Sequence, residues 1–104
     1  DQVVGMALYY PRYSTWKGPT FHLEDLIVTE PMKGKGIGTL LYQAFLKHAY
    51  QEGVERVEWA VLDWNLPAIE FYQKSGALLL DDWRSVQMDK KSIDNYISKI
   101  NSLE

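Results

Sequence analysis

The chain contains no cysteine among its 104 residues. Disulfide bonds, zinc–thiolate sites and cysteine nucleophiles are therefore excluded for this sequence. Its two histidines do not stand in a carboxylate pattern typical of a metal site, so we expect no metal. It has no signal-peptide pattern and no apolar run long enough to span a bilayer. We therefore expect a cytoplasmic protein without a membrane partner.

The chain also has no excess of positive charge, since its formal net charge is −3 at pH 7. General nucleic-acid binders are usually basic, so we expect no nucleic-acid partner. The remaining composition is 46% hydrophobic and 24% charged, which is typical of one soluble globular domain over residues 1–104. The mild acidity leaves room for a cationic substrate but does not identify one.

Hydrophobic periodicity predicts the element order β-β-α-β-α-β-β-α. Pro11 is expected to end the first strand because proline cannot donate to a strand ladder, while Gly53 and Pro67 are expected to close and open helices. Strand–helix–strand units imply a sheet that is at least partly parallel, so the fold class is α/β (α+β). The predicted strands are 3–10, 21–28, 54–62, 77–80 and 84–88, and the predicted helices are 37–51, 68–75 and 89–103.

A glycine-rich loop joins the second predicted strand to the first predicted helix. Gly34, Gly36 and Gly38 alternate within it, with lysines before and between them. First-turn N–H groups, the helix dipole and the absence of Cβ atoms together make a site for phosphate. The P-loop pattern is absent, and Thr39 stands where the dinucleotide fingerprint needs its third glycine.

The segment Lys33-Gly-Lys-Gly-Ile-Gly38 resembles the pyrophosphate loop of the GCN5-related N-acetyltransferase (GNAT) superfamily, with Lys33 in place of the usual Arg or Gln. Lysine offers charge to a phosphate but lacks the bidentate fork of arginine. Markers across residues 4–88 resemble the diamine acetyltransferase subfamily. These markers include Tyr9-Tyr10, Leu23-Glu-Asp25, Trp64-Asn65, Phe71-Tyr72, Gly76-Ala77 and Trp83.

Two segments, Tyr13–Gly18 and Ala60–Asn65, resemble the thialysine N-acetyltransferase branch of that subfamily. Ser14-Thr15 stands where the spermidine/spermine branch has Asp-Pro, which removes a carboxylate from the expected polyamine slot. The resemblance therefore implies acetyl transfer from acetyl-CoA to a primary amine of a small molecule, either thialysine- or lysine-like or a diamine, by direct attack.

The resemblance also implies a GNAT fold, in which helices flank a mixed central sheet. The usual N-terminal strand-helix-helix-strand portion is missing from these residues, so we expect a truncated domain, and the subfamily implies a homodimer. Coenzyme A is expected to contact the end of the second strand, the glycine loop and the second helix. The implied cofactor residues are Leu26, Ile27, Val28, Lys33, Gly34, Lys35, Gly36, Ile37, Gly38, Thr39, Asn65, Ala68, Tyr72 and Lys74.

Two residues are implied to be catalytic. Glu24 matches a substrate-facing acid and would take up the proton of the attacking amine, while Tyr72 matches the general acid for the leaving thiolate. Strand alternation places Glu24 and Asp25 on opposite faces unless a bulge intervenes, and Asp25 is expected to be structural. Asn65 could also cap the helix near Pro67.

Acceptor binding is assigned to Glu24, Trp16 and Asp82, because an acid beside an aromatic ring suits an alkylammonium group. The sequence leaves two other functions open. One is a non-catalytic module that binds coenzyme A or assists assembly, and the other is an acetyltransferase for a protein lysine or N-terminus. Release of free thiol in the presence of small amines distinguishes the small-molecule acetyltransferase from both of these alternatives.

Overall fold

The computed structural model describes residues 2–102, which form two compact units divided between Leu62 and Asp63. No helix in this part of the chain is long and apolar enough to cross a membrane. The predicted last residue of the C-terminal helix, 103, lies outside the described residues. The first unit contains β1 (Gly5–Ser14), β2 (Gly18–Val28), a 3-10 turn (Glu30–Met32), α1 (Ile37–Glu52) and β3 (Arg56–Glu58), and the second contains α2 (Leu66–Lys74) and α3 (Lys90–Ser102).

The sheet has three strands in the order β1-β2-β3, and it is mixed, as predicted. Strand β1 is antiparallel to β2, whereas β3 is parallel to β2. The parallel ladder is short, because only Thr20–His22 of β2 pairs with Arg56–Glu58. Strand β2 then continues alone on that side to Val28, where the glycine loop begins.

Helix α1 packs on one face of the sheet and forms the core of the first unit. Phe21 and Leu23 of β2 are buried there against Phe45 and Ala49 of α1. The ring of Tyr9 lies 5.3 Å from that of Phe21 and 4.9 Å from that of Phe45, centroid to centroid. The apolar periodicity of residues 37–49 predicts a buried face that is confirmed at Phe45 and Ala49 but is wrong for Leu40, which is 64% exposed. The buried contacts hold α1 beside β2.

The helix boundaries follow the predicted signals. Gly53 adopts left-handed backbone with φ 71°, and its N–H donates to the carbonyls of Ala49 and Tyr50. Asn65 and Pro67 open α2 as expected. These signals are local, so the sequence alone was sufficient to place them.

Strand β1 does not end at Pro11, contrary to the prediction, but continues to Ser14. It forms the edge of the sheet, where a missing N–H costs least. The hairpin then turns through residues 15–17, and Ser14 Oγ accepts hydrogen bonds from the N–H groups of Trp16 (3.2 Å) and Lys17 (3.1 Å).

The strands predicted at 77–80 and 84–88 are wrong, and β3 is shorter than the predicted 54–62. A strand requires a neighbouring backbone to pair with, and within the described part of the chain these runs have none. Their apolar side chains are consequently open to solvent, with Leu78 85% and Val86 90% exposed.

Candidate functional site

The 3-10 turn Glu30–Met32 connects the end of β2 to the glycine loop. The N–H of Thr29 donates to the carbonyl of Val4 (2.8 Å), which anchors the strand end. The N–H of Met32 then donates to Thr29 (2.9 Å) and that of Lys33 to Glu30 (3.2 Å). Pro31 lies in the first turn of this 3-10 segment, where its missing N–H is not needed. The loop is thus held at the end of β2.

Gly34 and Gly36 both have left-handed backbone, with φ 80° and 81°, a conformation that strongly favours glycine. Gly36 caps the N-terminus of α1 without a side-chain hydrogen bond. A Cβ at either position would meet nothing within 4 Å, so the backbone there is open to a ligand. The first N–H groups of α1 have no partner within the helix, and the helix dipole makes their surroundings favourable for an anion.

A cavity of about 360 Å³ lies between this loop and the end of β2. Ile27 and Lys35, both also predicted to contact the cofactor, are not in its wall. Ile27 alternates to the opposite face of the strand. Met32 was missed, although its place directly before the loop is a signal that could have identified it. The wall is formed by Leu26, Val28, Met32, Lys33, Gly34, Gly36, Ile37, Gly38 and Thr39.

Lys33 supplies the cation at the cavity wall. Its Nζ lies 3.2 Å from Glu30 Oε1, and both side chains are mostly exposed. Exposed ion pairs of this kind stabilise a folded protein by about 1 kcal/mol or less. The ammonium group can therefore exchange this partner for a phosphate without a large energetic cost.

Strand β2 carries a bulge at Glu24. Leu23 pairs with Tyr9 and Asp25 pairs with Leu8, which leaves Glu24 as an extra residue without a partner in the ladder. Because of this extra residue, Glu24 and Asp25 both lie exposed on the face opposite α1, rather than on opposite faces. The hydroxyl of Tyr10 donates to Glu24 Oε1 (3.3 Å).

In the second unit, Asn65 is the N-cap of α2, and its Oδ1 accepts from the N–H of Ala68 (3.4 Å). Tyr72 is half-buried in the same helix, with its ring edge-to-face against Phe71 at 5.8 Å. Lys74 pairs with Glu70 one turn earlier, at 2.8 Å. Helix α2 and its N-cap thus carry the residues of this unit that are predicted to bind the cofactor, and those contacts stay a prediction.

Trp16 and Glu24, two of the residues predicted for the acceptor, are not brought together within the first unit. Trp16 is 93% exposed in the hairpin turn before Gly18, and six strand positions separate Gly18 from Glu24. At about 3.3 Å per residue this is a distance of roughly 20 Å along the strand. Asp82 lies exposed in the second unit. Within residues 2–102, no three His, Asp or Glu side chains form a group that could hold a metal ion.

The sequence was compared with protein families and with known proteins. Residues 1–77 match the acetyltransferase (GNAT) family. The chain is 39% identical over 100 residues to the L-ornithine N5-acetyltransferase of Arabidopsis thaliana, covering 95% of this chain and 43% of that protein. It is 34% identical over 99 residues to the thialysine N-epsilon-acetyltransferase of Caenorhabditis elegans, covering 92% and 62%.

A solved structure also resembles this chain. An integron cassette protein from the mobile metagenome of V. cholerae superposes with a TM-score of 0.80 at 25% identity, over 92% of this chain and 60% of that one. The chain spans only 43% to 62% of the length of the two curated relatives.

Proposed function

Because the chain belongs to the acetyltransferase (GNAT) family, we propose that the complete protein is an enzyme that transfers an acetyl group from acetyl-CoA to a primary amine of a small molecule. The observation that carries this proposal is the cavity between the glycine loop and the end of β2. It combines open backbone at Gly34 and Gly36, the start of α1 and the Lys33 ammonium group. These are the features that a pyrophosphate requires.

On its thiol side, coenzyme A continues from the pyrophosphate as an extended arm with amide groups. Strand β2 fits such an arm, because its ladder with β3 ends at His22 while the strand continues to Val28. The backbone groups of that edge can pair with an extended ligand as they would with another strand. Leu26 and Val28 belong both to this edge and to the cavity wall.

The acceptor amine must lose a proton before it attacks. An alkylamine with a pKa of about 10.4 is neutral at pH 7 in roughly one molecule in a few thousand. Glu24 is the proposed proton acceptor, since it lies exposed two residues before the cavity wall begins at Leu26. Bound acetyl-CoA supplies the activated thioester, and the Tyr72 hydroxyl is proposed to protonate the leaving thiolate.

The proposed acceptor is an amino acid with a side-chain amine, such as thialysine or ornithine. The names of the two relatives support this class. The bulge supports a cationic acceptor independently, because it places the carboxylates of Glu24 and Asp25 on one exposed face. Ser14 and Thr15 provide no further charge of the kind that a long polyamine would need.

A homodimer is part of the same proposal. Helix α3 has an apolar stripe at the i, i+3, i+4 and i+7 positions, and its members are 39% to 57% exposed. An apolar stripe of this kind is typically covered by another surface. The stripe consists of Ile93, Tyr96, Ile97 and Ile100.

A thiol-release assay tests the proposal directly. The complete protein and acetyl-CoA are incubated in turn with thialysine, ornithine, lysine, short diamines and spermidine. We expect free thiol with the amino acids and little with spermidine. Binding of coenzyme A without thiol release from any of these amines would contradict the proposal and favour a non-catalytic module.

The role of Tyr72 has its own test. Tyr72→Phe removes only the hydroxyl, so kcat should fall by about 100-fold or more because a general acid is lost, while calorimetry should give an unchanged affinity for coenzyme A. Tyr50→Phe is the matched control, since Tyr50 is 87% exposed on α1. Equal turnover in the two variants would exclude Tyr72 as the general acid.

A further inference from the structure

A polar cluster lies on the sheet face opposite α1 and joins all three strands. Glu58 of β3 lies at its centre. Its Oε1 accepts from the Arg12 guanidinium of β1 and lies 3.3 Å from His22 Nδ1 of β2, while its Oε2 lies 3.2 Å from Arg56 Nη2. The carboxylate of Glu58 is 28% exposed and the imidazole of His22 22% exposed, so the pair is more shielded than an ordinary surface pair.

The cluster continues from His22 to the proposed proton acceptor. The imidazole ring lies against the ring of Tyr10, with centroids 5.2 Å apart and planes inclined by 33°. The hydroxyl of the same Tyr10 donates to Glu24 Oε1 (3.3 Å). An unbroken series of contacts therefore runs from Glu58 through His22 and Tyr10 to Glu24.

The bulge explains why Glu24 needs such a contact. In a regular ladder, the cross-strand partner limits the directions that a side chain can take. Glu24 has no partner in the ladder and is exposed, so the backbone alone leaves its carboxylate free among several rotamers. The Tyr10 hydroxyl is the group that restricts it, and the His22 ring restricts Tyr10 in turn.

We propose that Tyr10 is a positioning residue for Glu24, and that His22, held by Glu58, fixes the ring of Tyr10. This inference rests on the proposed function, because it presumes that Glu24 accepts the proton of the acceptor amine. A carboxylate held in one direction places its oxygen where the amine proton leaves, which raises the rate of proton transfer without adding a new chemical group.

Tyr10→Phe tests the inference because it keeps the ring against His22 and removes only the hydroxyl. We expect kcat for the amine to fall roughly tenfold, as for the loss of one coupled contact, with an unchanged KM for acetyl-CoA. Tyr13→Phe is the matched control, since Tyr13 lies on the same strand and is 76% exposed. Thermal unfolding of both variants shows whether the fold is retained.

A double-mutant cycle separates positioning from a merely structural role. Adding Tyr10→Phe to Glu24→Gln should change kcat by less than twofold, because the carboxylate that Tyr10 orients is already absent. The same tenfold loss in both backgrounds would overturn the inference. Wild-type turnover of Glu24→Gln alone would instead refute the role of Glu24 in the proposed function, so the two failures are distinguishable.

The His22 step is tested by a pair of substitutions. His22→Ala removes the ring beside Tyr10 and should reproduce most of the loss seen for Tyr10→Phe, whereas His22→Phe keeps a ring there and should restore at least half of the kcat. If both variants lose activity equally and also raise the KM for acetyl-CoA, His22 is structural and its part of the inference is wrong.

Discussion

Gly36 and Gly53 lie at the two ends of α1, and both adopt left-handed backbone, with φ 81° and 71°. A Cβ at either position would meet nothing within 4 Å, so an alanine would suffer the same kind of backbone strain at both. Only Gly36 belongs to the cavity wall. The two glycines therefore allow the conformational role of glycine to be separated from its role in binding.

Gly36→Ala and Gly53→Ala should each lower the free energy of unfolding by about 1–2 kcal/mol, because an L-residue is strained in this conformation. Only Gly36→Ala should weaken binding of coenzyme A, by about tenfold or more, since a methyl group would hinder close approach to the backbone. Thermal unfolding and calorimetric titration measure the two effects. Equal loss of affinity in both variants would show that the loop does not contact the cofactor.

The sequence predicted the structural roles of some residues better than those of others. Gly53 and Asn65 act through backbone groups within a few residues of themselves, and both form the predicted caps. The position of Glu24 depends on the register of β1 against β2, which no local pattern encodes. Its exposure beside Asp25 and its contact with Tyr10 therefore emerged only from the structure.

The start of α3 shows how one side chain supports a whole element. Asp89 precedes the helix, and its Oδ1 accepts from the N–H of Ser92 (2.8 Å). This backbone hydrogen bond, with the Ser92 hydroxyl as a second donor, lowers the pKa of the Asp89 carboxyl from its ordinary 3.8. The ionised carboxylate is thus the form that caps the helix.

Because the pKa of Asp89 is lower in the folded chain, its contribution to α3 is present above pH 3.8 and is lost as the pH falls through the lowered value. We expect the Ser92 amide resonance to titrate with a midpoint below 3.8, accompanied by loss of helical chemical shifts at Ile93. Asp89→Asn keeps an acceptor but does not ionise, so its resonances should not titrate there. A midpoint above 3.8 would contradict the lowered pKa.

Helices were predicted more accurately than strands, for a physical reason. The hydrogen bonds of α1 and α2 close within each helix, so their periodicity and caps suffice to predict them. The runs at 77–80 and 84–88 have suitable residues for strands, but the described chain offers them no backbone partner. Strand β3 forms only where Thr20–His22 provides such a partner.

At the scale of the whole molecule, the exposed apolar side chains of α3 are the feature most relevant to assembly. In a dimer formed through them, a charge placed on the stripe would be buried without a partner, which is strongly unfavourable. The opposite face of α3 is polar and would stay in solvent. Ile97 lies on the stripe and Asn95 on the opposite face.

We expect the wild-type protein to sediment as a dimer, Ile97→Glu as a monomer and Asn95→Glu as a dimer. Sedimentation velocity at several concentrations distinguishes these states, and circular dichroism confirms that α3 still forms in each variant. A dimer that persists in Ile97→Glu would place the interface elsewhere, and a monomeric wild type would refute the proposed assembly.

Because Glu24 lies in a bulge, it could be removed without changing how the neighbouring residues of β2 pair with β1. Without Glu24, Leu23 and Asp25 would follow each other as regular partners of Tyr9 and Leu8, and every later residue of β2 would keep its present face. The acid is in effect an insertion into a hairpin that is already complete. A lineage could therefore gain or lose this one residue, and with it the proposed proton acceptor, while leaving the glycine-loop cavity intact.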